Sequence, residues 1–204
     1  MANIGIVTGK VAIMSKKRAY IIHGWGGNPQ QAWIPWLKRS LESKGVSVVA
    51  PQMPDEEHPR IDLWVGFLDG LVIDPDEETF FIGHSIGCQA ILRYLQILPQ
   101  NVVVGGALFV AGWFNLENLE SPEEERIAEQ WITQPIYNKK VCAHSKKIIT
   151  LISDNDPFGC KKENIDRFQE LGSQIIELKQ AGHIEEQELQ EALTALEQIG
   201  ILTT

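Results

Sequence analysis

Short apolar runs alternate with helical patterns along this chain, and that alternation restricts the folds that the chain can adopt. Six of the apolar runs have the length of buried strands, and they span residues 19–22, 46–50, 79–82, 102–110, 147–152 and 174–178. Parallel strands need crossover connections, which are usually helices. The pattern therefore predicts an α/β fold with one mostly parallel, doubly wound sheet of about six strands and helices on both of its faces.

The segments between these runs carry apolar residues at helical spacing or recognisable start and stop residues. Asn28 has the side chain of an N-cap and Pro29 suits the first helical position, so a helix is predicted from there to Lys44, before Gly45. The other predicted helices span residues 61–71, 86–98, 122–131, 165–171 and 189–199.

A length of 204 residues suits one domain with a sizeable core. We expect this domain to occupy residues 19–204, and residues 1–18 to form an N-terminal extension or an extra hairpin. Residues 112–145, between the fourth and fifth predicted strands, are too few for a large cap domain. They are predicted to form a small excursion that could act as a lid.

The charge balance and the cysteine count limit the partners and the compartment that the sequence suggests. A formal net charge of −9 argues against nucleic acids and anionic membrane surfaces as partners. Cys88, Cys142 and Cys160 are too widely spaced for a disulfide framework and suit a reducing compartment. The sequence shows neither a signal-peptide pattern nor an apolar run of about 18 residues. We therefore expect a cytoplasmic protein. Both a monomer and a dimer are compatible with the sequence.

The pentapeptide Gly83-His84-Ser85-Ile86-Gly87 stands between the third predicted strand and the helix that follows it. A serine on such a sharp turn can expose its hydroxyl as a nucleophile, because the flanking glycines let the turn close without clashes. The helix N-terminus then directs its N–H groups and dipole toward an oxyanion. A serine after a strand is also a common N-cap, so the pentapeptide alone does not establish Ser85 as a nucleophile.

Two further polar residues follow the last two predicted strands. Asp156 comes after the fifth strand and His183 after the sixth, which gives the order Ser85, Asp156, His183 along the chain. This is the order of nucleophile, acid and histidine in α/β-hydrolases. His183 is predicted to act as general base and then general acid, and Asp156 to fix its tautomer. Asp154 is the alternative acid, and Asp156 is preferred because Pro157 would hold its turn.

A glycine-rich loop begins with His23-Gly24 at the end of the first predicted strand, which is expected to lie beside the strand that precedes Ser85. Such a loop can bring a second backbone N–H to an oxyanion. We expect the N–H groups of Trp25 and Ile86 to form the oxyanion hole. His23 is expected to organise the loop rather than to react.

These residues resemble those of the retinoblastoma-binding protein 9-like serine hydrolases, a family that includes small bacterial YdeN-type proteins. The matching segments are His23-Gly24, Gly83-His84-Ser85-Ile86-Gly87, Trp131-Ile132-Thr133-Gln134-Pro135, Asp156-Pro157-Phe158 and Gly182-His183. The resemblance implies a minimal α/β-hydrolase fold without a large cap domain, with Ser85, Asp156 and His183 as its catalytic triad. It also implies hydrolysis of carboxylic esters or small amides without a metal or an organic cofactor.

Aromatic residues near these positions are candidates for a substrate pocket. Trp113 and Phe114 follow the fourth predicted strand, and Phe158 lies in the turn after Asp156. Ligand pockets are mostly apolar, so these three rings could form the pocket wall, with core packing as the alternative. The predicted function is serine hydrolysis of a small-molecule ester or amide. The alternative is a protein-binding module on the same fold, with weak turnover or none.

Overall fold

The computed structural model describes residues 16–159 and 161–202, and within these ranges it contains one sheet of six strands. The strands are β1 (Arg18–Ile22), β2 (Ser47–Val49), β3 (Thr79–His84), β4 (Gly106–Val110), β5 (Ile148–Ser153) and β6 (Gln174–Leu178). Their order across the sheet is β2-β1-β3-β4-β5-β6, and every neighbouring pair is parallel. The predicted parallel α/β sheet is therefore confirmed.

Helices cover both faces of this sheet. In the described ranges they are α1 (Ile34–Ser43), α2 (Ile61–Leu71), α3 (Ile86–Leu95), α4 (Pro122–Thr133), α5 (Asn138–Ala143), α6 (Lys161–Glu170) and α7 (Gln190–Ile199). One apolar cluster includes Trp64 of α2, Ile91 of α3 and Phe168 of α6. The other includes Leu37 of α1 and Leu196 of α7. The sheet is therefore doubly wound, as predicted.

The position of β3 between β1 and β4 determines which loops meet. Ile22 of β1 pairs with Gly83 of β3, and Gly83 in turn pairs with Phe109 of β4. Because all the strands of the sheet are parallel, the loops that follow them gather at one edge. Ligand sites in open α/β sheets occur at this carboxyl edge. The fold therefore brings together the loops that carry the candidate site residues.

The start of α1 differs from the prediction. α1 begins at Ile34 rather than at Pro29, and turns precede it. Asn28 Oδ1 accepts a hydrogen bond from the Gln30 N–H at 2.9 Å, so this side chain closes a short turn instead of capping a helix. Ala32 has a φ of 48°, which interrupts a right-handed helix at that position.

The limits of other elements also differ from the predicted ones, and one helix is not predicted. β4 begins only at Gly106, and Val104 forms an isolated bridge with Ser145. α3 ends at Leu95, where the chain passes into turns. The sequence does not predict α5, because a helix of 6 residues is too short to show a helical repeat.

The excursion between β4 and β5 contains α4 and α5. Ser121 Oγ accepts a hydrogen bond from the Glu124 N–H at 3.2 Å, so Ser121 is the N-cap of α4. Arg93 of α3 donates a hydrogen bond of 2.7 Å to the Trp131 carbonyl and lies over the Trp131 ring. These contacts attach the excursion to the helix that follows β3.

Most of the predicted N-terminal extension, residues 1–15, lies outside the described residues. Arg18 already belongs to β1, and the Lys17 ammonium donates a hydrogen bond of 2.9 Å to the Gly200 carbonyl. None of the helices in the described part of the chain is long and apolar enough to cross a lipid bilayer.

Candidate active site

Ser85 lies on a sharp turn between β3 and α3. Its φ of 51° and ψ of −121° belong to a region that residues other than glycine rarely adopt. A Cβ atom at Gly83 would lie 2.7 Å from the Cys88 nitrogen, and one at Gly87 would lie 2.4 Å from the Ile22 oxygen. Both positions therefore require glycine for the turn to close. The strand–turn–helix geometry is that of a nucleophile elbow.

His183 and Asp156 are joined by a hydrogen bond of 2.8 Å between Nδ1 and Oδ2. The carboxylate accepts, so the imidazole carries a proton on Nδ1, and Nε2 of the neutral ring is left to accept one. The other oxygen of Asp156 accepts from the Phe158 N–H at 3.0 Å, which fixes the carboxylate. The exposed fractions of the His183 and Asp156 side chains are 11% and 16%, so solvent screens this pair weakly.

Asp154, the alternative acid, is held elsewhere. Its Oδ1 accepts a hydrogen bond from the Gln180 N–H at 2.7 Å, and its other oxygen lies 3.3 Å from Lys179 Nζ. The hydrogen bond from Gln180, assisted by Lys179, lowers the pKa of this carboxyl group. Asp154 ties the loop after β5 to the loop after β6, and it is Asp156 that contacts His183.

His84 also belongs to the site, although the sequence pattern assigns it no role. Its Nε2 donates a hydrogen bond of 3.0 Å to the His183 carbonyl, and the Trp33 ring packs edge-on against it. Burial, together with the nearby charge of His183, lowers the pKa of His84 to about 4, so its ring is neutral near neutral pH. His84 therefore holds the main chain of His183. Its sequence signal is its place directly before Ser85.

The loop after β1 passes in contact with the serine. His23 donates from Nδ1 to the Gly24 carbonyl at 2.7 Å and accepts at Nε2 from the Met53 N–H at 2.9 Å. Burial lowers the pKa of His23, which favours the neutral ring that these two hydrogen bonds require. A Cβ atom on Gly24 would lie 3.3 Å from the Ser85 Cβ, so His23 fixes a loop whose backbone adjoins the serine.

Two backbone N–H groups near Ser85 have no acceptor among the residues that the structure describes. Among the described residues, neither the Trp25 N–H nor the Ile86 N–H donates a hydrogen bond. Ile86 is the first residue of α3, and the first N–H groups of a helix have no partner within the helix. Unpaired N–H groups beside a buried serine are the donors that a developing oxyanion needs.

The hydroxyl of Ser85 accepts a hydrogen bond of 3.3 Å from the indole Nε1 of Trp113. Within the described part of the chain, no hydrogen bond joins Ser85 to His183. Hydrogen bonds between a nucleophile and its base often form fully only in the complex with substrate. In this structure the Ser85 hydroxyl is hydrogen-bonded to the Trp113 indole, and the His183 imidazole lines the same cavity.

A cavity of about 610 Å³ opens at Ser85 and is also lined by His183 and the loop after β1. Its walls include the rings of Trp25, Trp113 and Phe158. The Phe158 ring packs edge-on against the His183 ring, with centroids 4.8 Å apart. Ligand pockets commonly measure ~300–1,000 Å³, so this volume suits a small organic molecule.

The cavity carries negative charge. Carboxylates line it from Glu57, Glu120, Glu124 and Glu185, and none of the described lining residues is a lysine or an arginine. A lining of one charge sign repels ligands of the same sign. Among the residues that the structure describes, no group of three His, Cys, Asp or Glu side chains is arranged to hold a metal ion.

Comparison with known proteins identifies the family. The model of the family described as "Serine hydrolase" matches residues 19–200. The chain belongs to the serine hydrolase family. This serine hydrolase is 31% identical to YdeN of Bacillus subtilis (strain 168) over 177 residues, which cover 84% of this chain and 88% of YdeN. It is 27% identical to serine hydrolase RBBP9 of Rattus norvegicus over 182 residues, which cover 88% of this chain and 93% of RBBP9.

A solved structure supports the same assignment of this serine hydrolase. The crystal structure of the ydeN gene product from B. subtilis matches it with a TM-score of 0.82 at 25% identity, covering 90% of this chain and 98% of that chain. The resemblance that the motifs indicate is confirmed, and so is the α/β-hydrolase fold.

Two of the three aromatic candidates for the pocket line the cavity of this serine hydrolase, and Phe114 does not. Phe114 is 6% exposed and packs against Phe168 of α6, with ring centroids 4.8 Å apart. The Arg167 guanidinium lies 4.7 Å from the centre of the Phe114 ring. Although the two residues are adjacent in the sequence, the Trp113 ring therefore lies at the cavity and the Phe114 ring packs in the core.

Proposed function

We propose that this protein cleaves small, uncharged carboxylic esters or amides through an acyl-enzyme on Ser85. The observation that carries the proposal is a serine with a φ of 51° at a cavity of about 610 Å³ that is also lined by a histidine oriented by a carboxylate. Splitting hydrolysis into acylation and deacylation replaces one difficult step with two easier ones.

Acylation begins when His183 Nε2 takes the proton of Ser85 Oγ. The oxygen attacks the substrate carbonyl carbon, and the carbonyl electron pair moves to its oxygen to form a tetrahedral intermediate. When the intermediate collapses, the bond to the leaving group breaks, and His183 returns the proton to the departing oxygen or nitrogen. Asp156, 2.8 Å from Nδ1, stabilises the imidazolium that exists between the two proton transfers.

Deacylation repeats these steps with water. His183 takes a proton from the water, and the water oxygen bonds to the acyl carbon. The bond from that carbon to Ser85 Oγ then breaks, and His183 gives the proton back to Oγ. In both steps the Trp25 and Ile86 N–H groups are the proposed donors to the negative carbonyl oxygen. Removing one such donor typically costs about 10²–10³ in rate.

The cavity lining supports the substrate class. The rings of Trp25, Trp113 and Phe158 offer an apolar surface, together with Leu116 and Leu119. The carboxylates of the lining disfavour acids and phosphate esters. We therefore propose uncharged acyl groups of limited length, for which p-nitrophenyl esters of increasing chain length should show a clear optimum.

We also propose that the excursion over residues 112–145 is a small lid on a single domain that extends over residues 19–204. In support, Leu116, Leu119, Glu120 and Glu124 all line the cavity, and they lie around the start of α4. A segment in this position can exclude water from the reacting atoms.

A fluorophosphonate probe tests the function. Its phosphorus should bond to Ser85 Oγ with loss of fluoride, and Ser85→Ala should abolish both this labelling and ester hydrolysis. Ser40→Ala is the matched control, because Ser40 lies on α1 and its hydroxyl donates only to the Trp36 carbonyl at 2.9 Å. Labelling of Ser85→Ala at the rate of the unchanged protein would contradict the proposal and leave the binding-module alternative.

A further inference from the structure

The contact between Trp113 and Ser85 has a fixed direction. An indole nitrogen only donates, so the 3.3 Å hydrogen bond places the Trp113 N–H on a lone pair of Ser85 Oγ. The hydroxyl proton of Ser85 remains available for His183. Trp113 is 2% exposed and Ser85 is 8% exposed, so this hydrogen bond is shielded from water.

Trp113 follows a turn whose backbone conformation is constrained. Ala111 has a φ of 49°, in the left-handed region that disfavours side chains. A Cβ atom on Gly112 would lie 2.7 Å from the Phe168 ring and 3.1 Å from Cys88 Sγ. Backbone strain of this kind persists only where the surroundings enforce it, and it concentrates at functional sites.

Buried amides from two helices hold the segment that begins at Trp113. Gln89 of α3 is 1% exposed and donates from Nε2 to the Trp113 carbonyl at 2.7 Å. Asn164 of α6 is 5% exposed and accepts from the N–H groups of Phe114 and Asn115 at 2.7 and 3.1 Å. Among the described residues the Gln89 side-chain oxygen has no hydrogen-bond partner, which is unfavourable for a buried amide. The unpaired oxygen therefore belongs to the amide that holds the backbone of Trp113, the residue whose ring contacts Ser85.

We infer that Trp113 is a catalytic residue whose indole N–H stabilises negative charge on Ser85 Oγ. The inference rests on the proposed acyl-enzyme mechanism. In acylation the Oγ–H bond breaks and its proton passes to His183, so charge develops on Oγ before the bond to carbon is complete. In deacylation the bond from carbon to Oγ breaks, and charge develops on Oγ again before His183 returns the proton.

The indole helps most when Oγ is charged. A hydrogen bond to an ionised oxygen is stronger than one to a neutral hydroxyl, and the low dielectric of a buried site increases the difference. The ester oxygen of the acyl-enzyme carries no such charge, so the donor favours the transition states over the intermediate. This role is separate from that of the Trp25 and Ile86 N–H groups, which serve the carbonyl oxygen.

Trp113→Phe tests the inference, because it keeps an aromatic ring and removes the donor. We expect kcat and the rate of fluorophosphonate inactivation to fall about 10-fold, less than the loss typical of an oxyanion donor because 3.3 Å is a long hydrogen bond. KM for a neutral ester should change less than kcat. Trp131→Phe is the control, since its buried indole donates to the Pro59 carbonyl at 2.9 Å and does not line the cavity.

The outcomes separate the two proposals. If the unchanged protein labels and Trp113→Phe labels at the same rate, the role of Trp113 is refuted while the acyl-enzyme mechanism stands. Equal losses of activity in Trp113→Phe and Trp131→Phe would also refute it, because the effect would then follow from packing. If the unchanged protein labels no better than Ser85→Ala, the proposed function fails and the inference fails with it.

Nuclear magnetic resonance supplies a readout that does not depend on turnover. The indole N–H resonance of Trp113 is identified by its loss in Trp113→Phe. In Ser85→Ala it should move upfield because its acceptor is gone, while the Trp131 indole resonance stays in place. An unmoved Trp113 resonance would refute the hydrogen bond on which the inference stands.

Discussion

Replacing Asp156 with asparagine removes the negative charge 2.8 Å from His183 Nδ1 and preserves the size of the side chain. At that distance and an effective dielectric constant of about 20, Coulomb's law gives an attraction of about 6 kcal/mol between a carboxylate and an imidazolium. A factor of ten in rate corresponds to about 1.4 kcal/mol, so the full loss is roughly 10⁴-fold. Because asparagine can still form a hydrogen bond to the ring, we expect kcat to fall by about 10³–10⁴.

The assay is steady-state hydrolysis of a p-nitrophenyl ester, with circular dichroism and thermal unfolding to show that the variant is folded. Asp154→Asn is the matched control, since that carboxylate faces Gln180 and Lys179 rather than His183. Because asparagine keeps an oxygen that can accept the hydrogen bond of the Gln180 N–H, we expect the two loops to stay joined and kcat to fall far less than in Asp156→Asn. A larger loss for Asp154→Asn than for Asp156→Asn would overturn the assignment of the acid.

Two further predictions concern pH and charge. The pKa of His84 is lowered from 6.5 to about 4, so the unfolded chain binds more protons between these values, and the free energy of unfolding should fall by up to about 3 kcal/mol as pH drops through this window. Urea unfolding of His84→Gln should show a smaller dependence on pH over the same window. The carboxylates of the cavity should make kcat/KM several-fold lower for an anionic acyl ester than for a neutral one of equal size. Glu57→Gln and Glu185→Gln should each reduce that difference, and salt should reduce it as well.

Controls for these predictions are available on the same chain. Glu191→Gln, on α7 and outside the cavity lining, should leave the preference between neutral and anionic esters unchanged. An equal preference in the unchanged protein and the double Glu57→Gln, Glu185→Gln variant would contradict the role of the carboxylates. An identical pH slope of unfolding for His84→Gln and the unchanged protein would contradict the assignment to His84.

The middle of the sheet could be predicted from the sequence because its central strands are buried on both faces. Such strands read as continuous apolar runs, and every residue of β3, β4 and β5 is buried. The order of Ser85, Asp156 and His183 is likewise visible without a structure, because each residue follows a strand and parallel strands end at one edge. Apart from the expected pairing of the first strand with the strand before Ser85, the sequence does not provide the order of the strands across the sheet, which depends on long-range packing.

Local signals were misleading at two positions. Asn28 and Pro29 have the residue types of a helix start, yet the left-handed Ala32 delays α1 to Ile34. Phe114 stands beside Trp113 in the sequence, but Asn164 holds its backbone so that the ring packs in the core. The residue that holds the Phe114 backbone lies 50 positions away along the chain, so it leaves no signature within a window of a few residues.

The end of β1 packs tightly against the start of α3, because the Ile22 oxygen occupies the space that a side chain on Gly87 would need. Of the proposed oxyanion donors, Ile86 directly precedes Gly87, and Trp25 lies three residues after Ile22. The close packing at this junction therefore limits how far the two donors can move relative to each other. Diversification within such a scaffold would alter the excursion that begins near Leu116 and leave the junction unchanged, so new substrates could evolve without rebuilding the catalytic apparatus.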